Sequence, residues 1–79
     1  MMIKNAHIVE VDGNGRAVLG TSLFEAEDKT IVTEVRGGDV VSEYRVPGLL
    51  RDVCCRLVNE LYDRLPKGNN LRLTTNYGV

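Results

Sequence analysis

The stretch Tyr44-Arg45-Val46-Pro47-Gly48-Leu49-Leu50-Arg51-Asp52-Val53-Cys54 changes its repeat at Pro47, and that change decides the fold. Before Pro47 the side chains alternate with a period of two, as in a half-buried strand. After it, apolar residues recur at three- and four-residue spacing, as on a helix. Proline fits a first helical turn, where its missing N–H has no partner to lose, so the sequence predicts a helix from Pro47 to about Leu65. At about 100° per residue, Leu50, Val53, Cys54, Leu57, Val58, Leu61 and Leu65 fall in a core-facing stripe about 140° wide. Asp52, Arg56, Asn59, Glu60 and Asp63 lie opposite. There Arg56 is spaced to meet both Asp52 and Glu60, and Glu60 to meet Arg64, as a solvated ladder.

Upstream of this helix the chain reads as a meander of strands. Ala6 to Val11 is rich in β-branched residues and stops at Asp12-Gly13-Asn14-Gly15, a hairpin signal. Arg16 to Phe24 puts Ala17, Leu19 and Leu23 on one face and Val18, Gly20, Ser22 and Phe24 on the other, and the pattern does not say which face meets the core. The cluster Glu25-Ala26-Glu27-Asp28-Lys29 breaks the alternation before Thr30 to Arg36 resumes it. Gly37-Gly38-Asp39 turns the chain again. Val40 to Val46 follows, with Val40, Ser42, Tyr44 and Val46 opposite Val41, Glu43 and Arg45. Downstream, Pro66-Lys67-Gly68 ends the helix and Leu71 to Thr75 alternates as a final strand.

The expected architecture is α+β: an antiparallel meander of about four strands, one amphipathic helix packed on the sheet, and a last strand, in the order ββββαβ. No linker or repeat divides the chain, so residues 1–79 are expected to form a single domain. Because a strand after a helical crossover joins its sheet in a right-handed sense, the last strand is expected to lie parallel to a strand of the meander, the first one above all.

Composition narrows the function classes. The 79 residues carry 10 Lys+Arg against 11 Asp+Glu, a net charge of -1, and 43% of them are hydrophobic. A chain of this size buries only about 60% of the surface that its unfolded form exposes, so its core is thin and a second copy would help to bury more apolar surface. The longest apolar run, Val46 to Leu50, is far below the roughly 20 residues of a spanning helix, and the start Met1-Met2-Ile3-Lys4-Asn5 reads as no signal peptide. Cytoplasmic localisation is therefore expected, with no membrane partner. The adjacent Cys54 and Cys55 diverge by about 100° on the helix and suit a reducing compartment.

Few residues carry a chemical signal. His7 is the single histidine; it alternates with Val9 and Val11, has no recognisable catalytic partner motif, and is read as structural. One histidine and two diverging cysteines cannot supply the convergent ligands of a zinc site, so no metal is expected. The Asp12-Gly13-Asn14-Gly15 turn has Arg16 and Leu23 where a calcium loop needs oxygen ligands, which makes it a hairpin turn. Gly37-Gly38 lacks the Lys-Ser/Thr of a phosphate loop, and no cofactor is expected. Residues 1–46 hold eight acids and five bases and residues 47–79 hold three acids and five bases, that is -3 against +2. Arg51, Arg64, Lys67 and Arg72 lack the interleaved aromatics of nucleic-acid modules, so nucleic acid is not the expected partner.

A partner surface is expected instead on the helix shoulder formed by Arg51, Cys55, Val58 and Tyr62, since Tyr and Arg are favoured interface anchors. The last strand, Leu71 to Tyr77, is expected to present an open edge with Arg72 and Tyr77 on it. The leading functional expectation is a small non-catalytic protein-interaction domain: a homodimer, or a stoichiometric partner or inhibitor of a larger protein, of a size that suits phage- or mobile-element-encoded accessory proteins. The rival is a thiol redox or minimal enzyme that uses Cys55 with Arg51, helped by His7. A weakly nucleic-acid-associated module is the third reading.

The order of elements resembles the first half of the ribonuclease-H-like fold, a truncated form of which serves some antitoxins. The resemblance covers element order and no motif. Asp12 and Asp52 stand where two of the enzymes' acids would lie, while the final strand ends Leu73-Thr74-Thr75-Asn76, with no carboxylate to complete a two-metal site.

Overall fold

Four strands succeed one another through tight turns: β1 (Met2–Val11), β2 (Ala17–Ala26), β3 (Lys29–Arg36) and β4 (Asp39–Pro47). Helix α1 (Leu50–Arg64) and strand β5 (Asn70–Gly78) complete the α+β arrangement ββββαβ. The computed structural model describes residues 2–78, with side chains from 4 to 76. The five strands form one sheet in the order β4-β3-β2-β1-β5, and every neighbouring pair is antiparallel.

The last strand corrects the expected topology. β5 does lie beside β1, but it runs antiparallel to it, pairing Ile8 with Leu73 and Ala6 with Thr75. Parity is the reason. In a four-strand meander β4 runs opposite to β1, the helix carries the chain back across the sheet, and β5 must then run in the direction of β4. A three-strand meander would have made the last strand parallel to the first. The likeness to the ribonuclease-H-like half-fold therefore fails at the strand that defines it.

Helix α1 covers the face that carries Ala6, Ile8, Leu23 and Val32, which form the core with Leu50, Val53 and Cys54. The expected stripe is borne out from Leu50 to Leu61, with Leu57, Val58 and Leu61 packed around this core beside Val46 and Leu71 of the strands, whereas Leu65 stands at the C-cap outside it. Two irregularities correct the alternation read from sequence. A register shift between Glu10 and Val11 leaves Val18 of β2 without a partner on β1, and Val11 is buried although His7, in alternation with it, is exposed. A second shift sets two residues of β4, Val40 and Val41, opposite Val35 on the face away from the helix, so Val40 leaves the side of Ser42 and Tyr44.

Pro47 closes β4 rather than opening the helix, because the turn is built by other groups. Leu49 stands at the helix N-cap and offers no side-chain cap. Instead Leu50 N–H donates to Glu25 Oε2 at 3.1 Å, so a carboxylate from β2 holds the positive end of the helix. Gly48 N–H donates to the Asp28 carbonyl at 3.1 Å, and the buried Thr30 hydroxyl donates to the Gly48 carbonyl at 3.0 Å. Part of the acidic cluster is thus structural: Glu25 caps the helix, β2 continues to Ala26, and the turn follows at Glu27, whose φ is 58°.

Two stability changes follow from this junction. Glu25→Ala removes a charge-assisted cap and is expected to lower unfolding free energy by about 1–2 kcal/mol, with Glu25→Gln recovering part of it, in urea titrations. Glu27→Gly relieves the left-handed backbone and is expected to raise stability by about 0.5–1 kcal/mol in the same assay.

Candidate functional site

The single helix leaves the far side of the sheet uncovered. Strand pairing assigns that outer face as cross-strand rows. The middle row is polar and runs Glu43, Thr33, Ser22, His7, Thr74 from β4 to β5. On one side lies Arg45, Ile31, Phe24, Asn5, Asn76. On the other lie Val40 with Val41, then Val35, Gly20, Val9 and Arg72. Phe24 and Val41 are each 54% exposed, although both belong to strands within a paired sheet.

His7 Nδ1 lies 2.8 Å from Ser22 Oγ across the central strand pair. Either partner can donate, according to the tautomer. The ring also leans over Gly20: its Cε1 and Nε2 lie 3.8 Å from where a Cβ on that glycine would stand. A nucleophilic serine would need two further parts, a group that orients the imidazole and free N–H donors for an oxyanion. Among the described residues, the hydrogen bond to Ser22 is the one that the His7 side chain makes. Ser22 sits in mid-strand, where backbone N–H groups are committed to the ladders on either side. The pair is arranged to fix the ring on the sheet surface.

Depressions mark the outer face. One, of about 480 Å³, lies between Phe24, Ile31 and the polar row. Another, of about 330 Å³, lies over Gly20 and is walled by His7, Val9, Val18 and Val35.

The residues read from sequence as partner contacts do not form one surface. Arg51, Cys55 and Tyr62 are exposed on α1, and Val58 is half-buried against the core. Arg72 pairs with Val9 and therefore lies on the opposite side of the sheet from this shoulder. Tyr77 pairs with Ile3, and its side chain lies outside the described residues. His7, on the outer face, is likewise separated by the sheet from Cys55 and cannot assist its thiol. Arg51 and Arg64 stand at opposite ends of α1, so the four basic residues singled out in sequence make no common patch.

Tyr44 lies on the helix side of the edge strand β4. Its hydroxyl donates to Glu34 Oε1 at 3.5 Å, and partial burial together with the Glu34 charge raises its phenol above the usual value. Burial likewise raises the Cys54 thiol, which belongs to the core, whereas Cys55 is exposed, and both cysteines are free. Asp12 Oδ1 accepts from the backbone N–H of Asn14 and of Arg16, each at 2.9 Å, as the expected hairpin turn requires.

Sequence reasoning missed Phe24, Ile31, Val35 and Val41 as surface features. The signal was present in β2, where apolar residues stand on both faces. That ambiguity is itself the mark of a strand whose two sides both seek cover.

No protein-family model, curated protein sequence or solved structure matches the chain. Among the described residues, no group of three or more His, Cys, Asp or Glu side chains is placed to hold a metal ion, and no helix is long and apolar enough to cross a membrane.

The two thiols give a direct check of this geometry. Titration of the folded protein with a thiol reagent is expected to modify one cysteine per chain quickly, and the second only on unfolding. Cys55→Ser should abolish the fast phase and Cys54→Ser should leave it, whereas two fast equivalents would contradict the packing of Cys54.

Proposed function

We propose that this chain is a small non-catalytic protein-interaction domain that works through the outer face of its sheet, as a homodimer or as a stoichiometric partner or inhibitor of a larger protein. The observation that carries the reading is the uncovered β2–β4 surface, with Phe24 and Val41 more than half exposed beside Ile31 and Val35. Two apolar rows on either side of a central row of hydroxyl and imidazole groups, rimmed by Arg45, Glu43, Arg72 and Asn76, give the mixed polar and apolar make-up of a non-obligate interface. The helix shoulder supports the reading less. Its Val58 is already engaged with the core, which leaves Tyr62 as its one large exposed hydrophobic side chain. A reducing compartment such as the cytoplasm suits two free cysteines, one of them exposed.

Chemical cross-linking of the immobilised chain in an extract of its native host, followed by mass spectrometry, tests the reading. The wild-type chain is expected to retain a protein, itself or a larger one, at near-equal stoichiometry. Phe24→Asp should lower that retention at least tenfold, while Tyr62→Glu should leave it. Equal retention by wild type and Phe24→Asp, both folded by circular dichroism, would overturn the assignment of the outer face.

A further inference from the structure

We infer that the outer face recognises itself: two copies stack face to face about a two-fold axis crossing the strands at Ser22, with Phe24 of each copy seated over Gly20 of the other. This rests on the reading of the outer face as a protein-binding surface, and it names the partner as a second copy.

The symmetry lies in one strand. Gly20 and Phe24 stand two residues either side of Ser22 on β2, the middle strand of the five, and all three face outward. A two-fold axis in the plane between two such faces, passing over Ser22 at right angles to the strands, carries each Phe24 onto the other copy's Gly20. One fitting contact is thereby made twice, as in any isologous interface. The shapes agree with the operation. Phe24 stands out from the sheet, and Gly20 lies at the floor of the depression of about 330 Å³ walled by Val9, Val18 and Val35. An aromatic side chain entering an apolar hollow is the usual anchor of a protein interface.

The polar row tolerates the same axis. His7, Ser22 and Thr33 would each face their own counterparts, and hydroxyl and imidazole groups both donate and accept, so self-pairing need not strand a buried donor. The same axis sets Glu43 against its own counterpart at the exposed β4 rim, where water screens the like charges, and lays the Arg45 stem over the partner's Val40 and Val41. The size also suffices. Five strands about 4.8 Å apart and about 25 Å long project an area of about 600 Å², and side-chain relief brings this toward the roughly 800 Å² per partner of a standard interface.

Gly20 makes the test specific. A Cβ there would lie 3.8 Å from the His7 ring and 3.9 Å from the Val35 carbonyl oxygen, ordinary contact distances, and the residue is not in the left-handed region. Gly20→Val should therefore fold, and a β-branched residue in a strand should raise monomer stability, while filling the hollow that receives Phe24. Sedimentation equilibrium at 10–500 µM is expected to give wild type a mass near twice 8.8 kDa. Gly20→Val and Phe24→Ala alone should each weaken self-association at least tenfold. Mixed together they should form a heterodimer, because that pair keeps one intact Phe24–Gly20 contact and sets alanine against valine in the other. A wild-type monomer at 500 µM would overturn the inference. So would a Gly20→Val chain that dimerises like wild type, or a dimer broken by Tyr62→Glu instead. If wild type is monomeric yet captures a different protein in a Phe24-dependent way, self-recognition falls while the protein-binding reading stands.

Discussion

One helix must serve a sheet that it cannot cover, and the rest of the molecule follows from that mismatch. A helix with its side chains is about 10 Å across, whereas five strands span about 24 Å. α1 therefore seals the middle of one face, where Ile8, Leu23, Val32, Leu50 and Val53 are fully buried, and leaves the flanks half-open. Tyr44 on β4 and Leu73 on β5 stay substantially exposed on the helix side for this reason. On the far side, no helix or loop of the described residues covers the sheet.

The junction that seats the helix deserves as much weight as the stripe that faces the core. Glu25, Asp28 and Thr30 come from the β2–β3 hairpin, and all three bond the turn at Gly48 to Leu50. Burial of leucines alone would allow α1 to slide or tilt across the sheet, since hydrophobic attraction has no direction. The three polar contacts are directional and fix where the helix begins. A carboxylate at the helix N-terminus adds electrostatic preference for the same register. Acidic residues that look like a solvated turn in the sequence thus act as the anchor of the tertiary structure.

On the outer face, polar and apolar rows alternate along the strands instead of forming a purely polar, solvated surface. The row Glu43, Thr33, Ser22, His7 and Thr74 keeps the face wettable, and the His7–Ser22 hydrogen bond holds the imidazole in place beside Gly20. The flanking rows supply bulk at Phe24 and Ile31 and a hollow at Gly20. Such a face can exist exposed in a monomer and still lose little when it is covered, because hydroxyl and imidazole groups exchange water for protein partners readily.

How far the sequence reached can be traced in particular residues. The period change at Pro47, the stripe from Leu50 to Leu61, the Asp12 turn and the alternation of four strands are local properties, fixed by spacing and backbone preference within a few residues, and they were legible. The direction of β5 was not. It depends on the parity of the whole meander, which no single segment contains. Nor were the shifts at Val11 and Val40, which arise from how neighbouring strands share a ladder, or the reach of Glu25 to Leu50, a bond between residues 25 positions apart. The candidate surface was hidden for the same reason. Phe24, Gly20, Val35 and Val9 are brought together by lateral pairing of three strands, and the sequence of each strand alone shows only that both its faces carry apolar groups. Local chemistry chose the elements; only the lateral order of the strands decided which face the helix would cover and which it would leave bare.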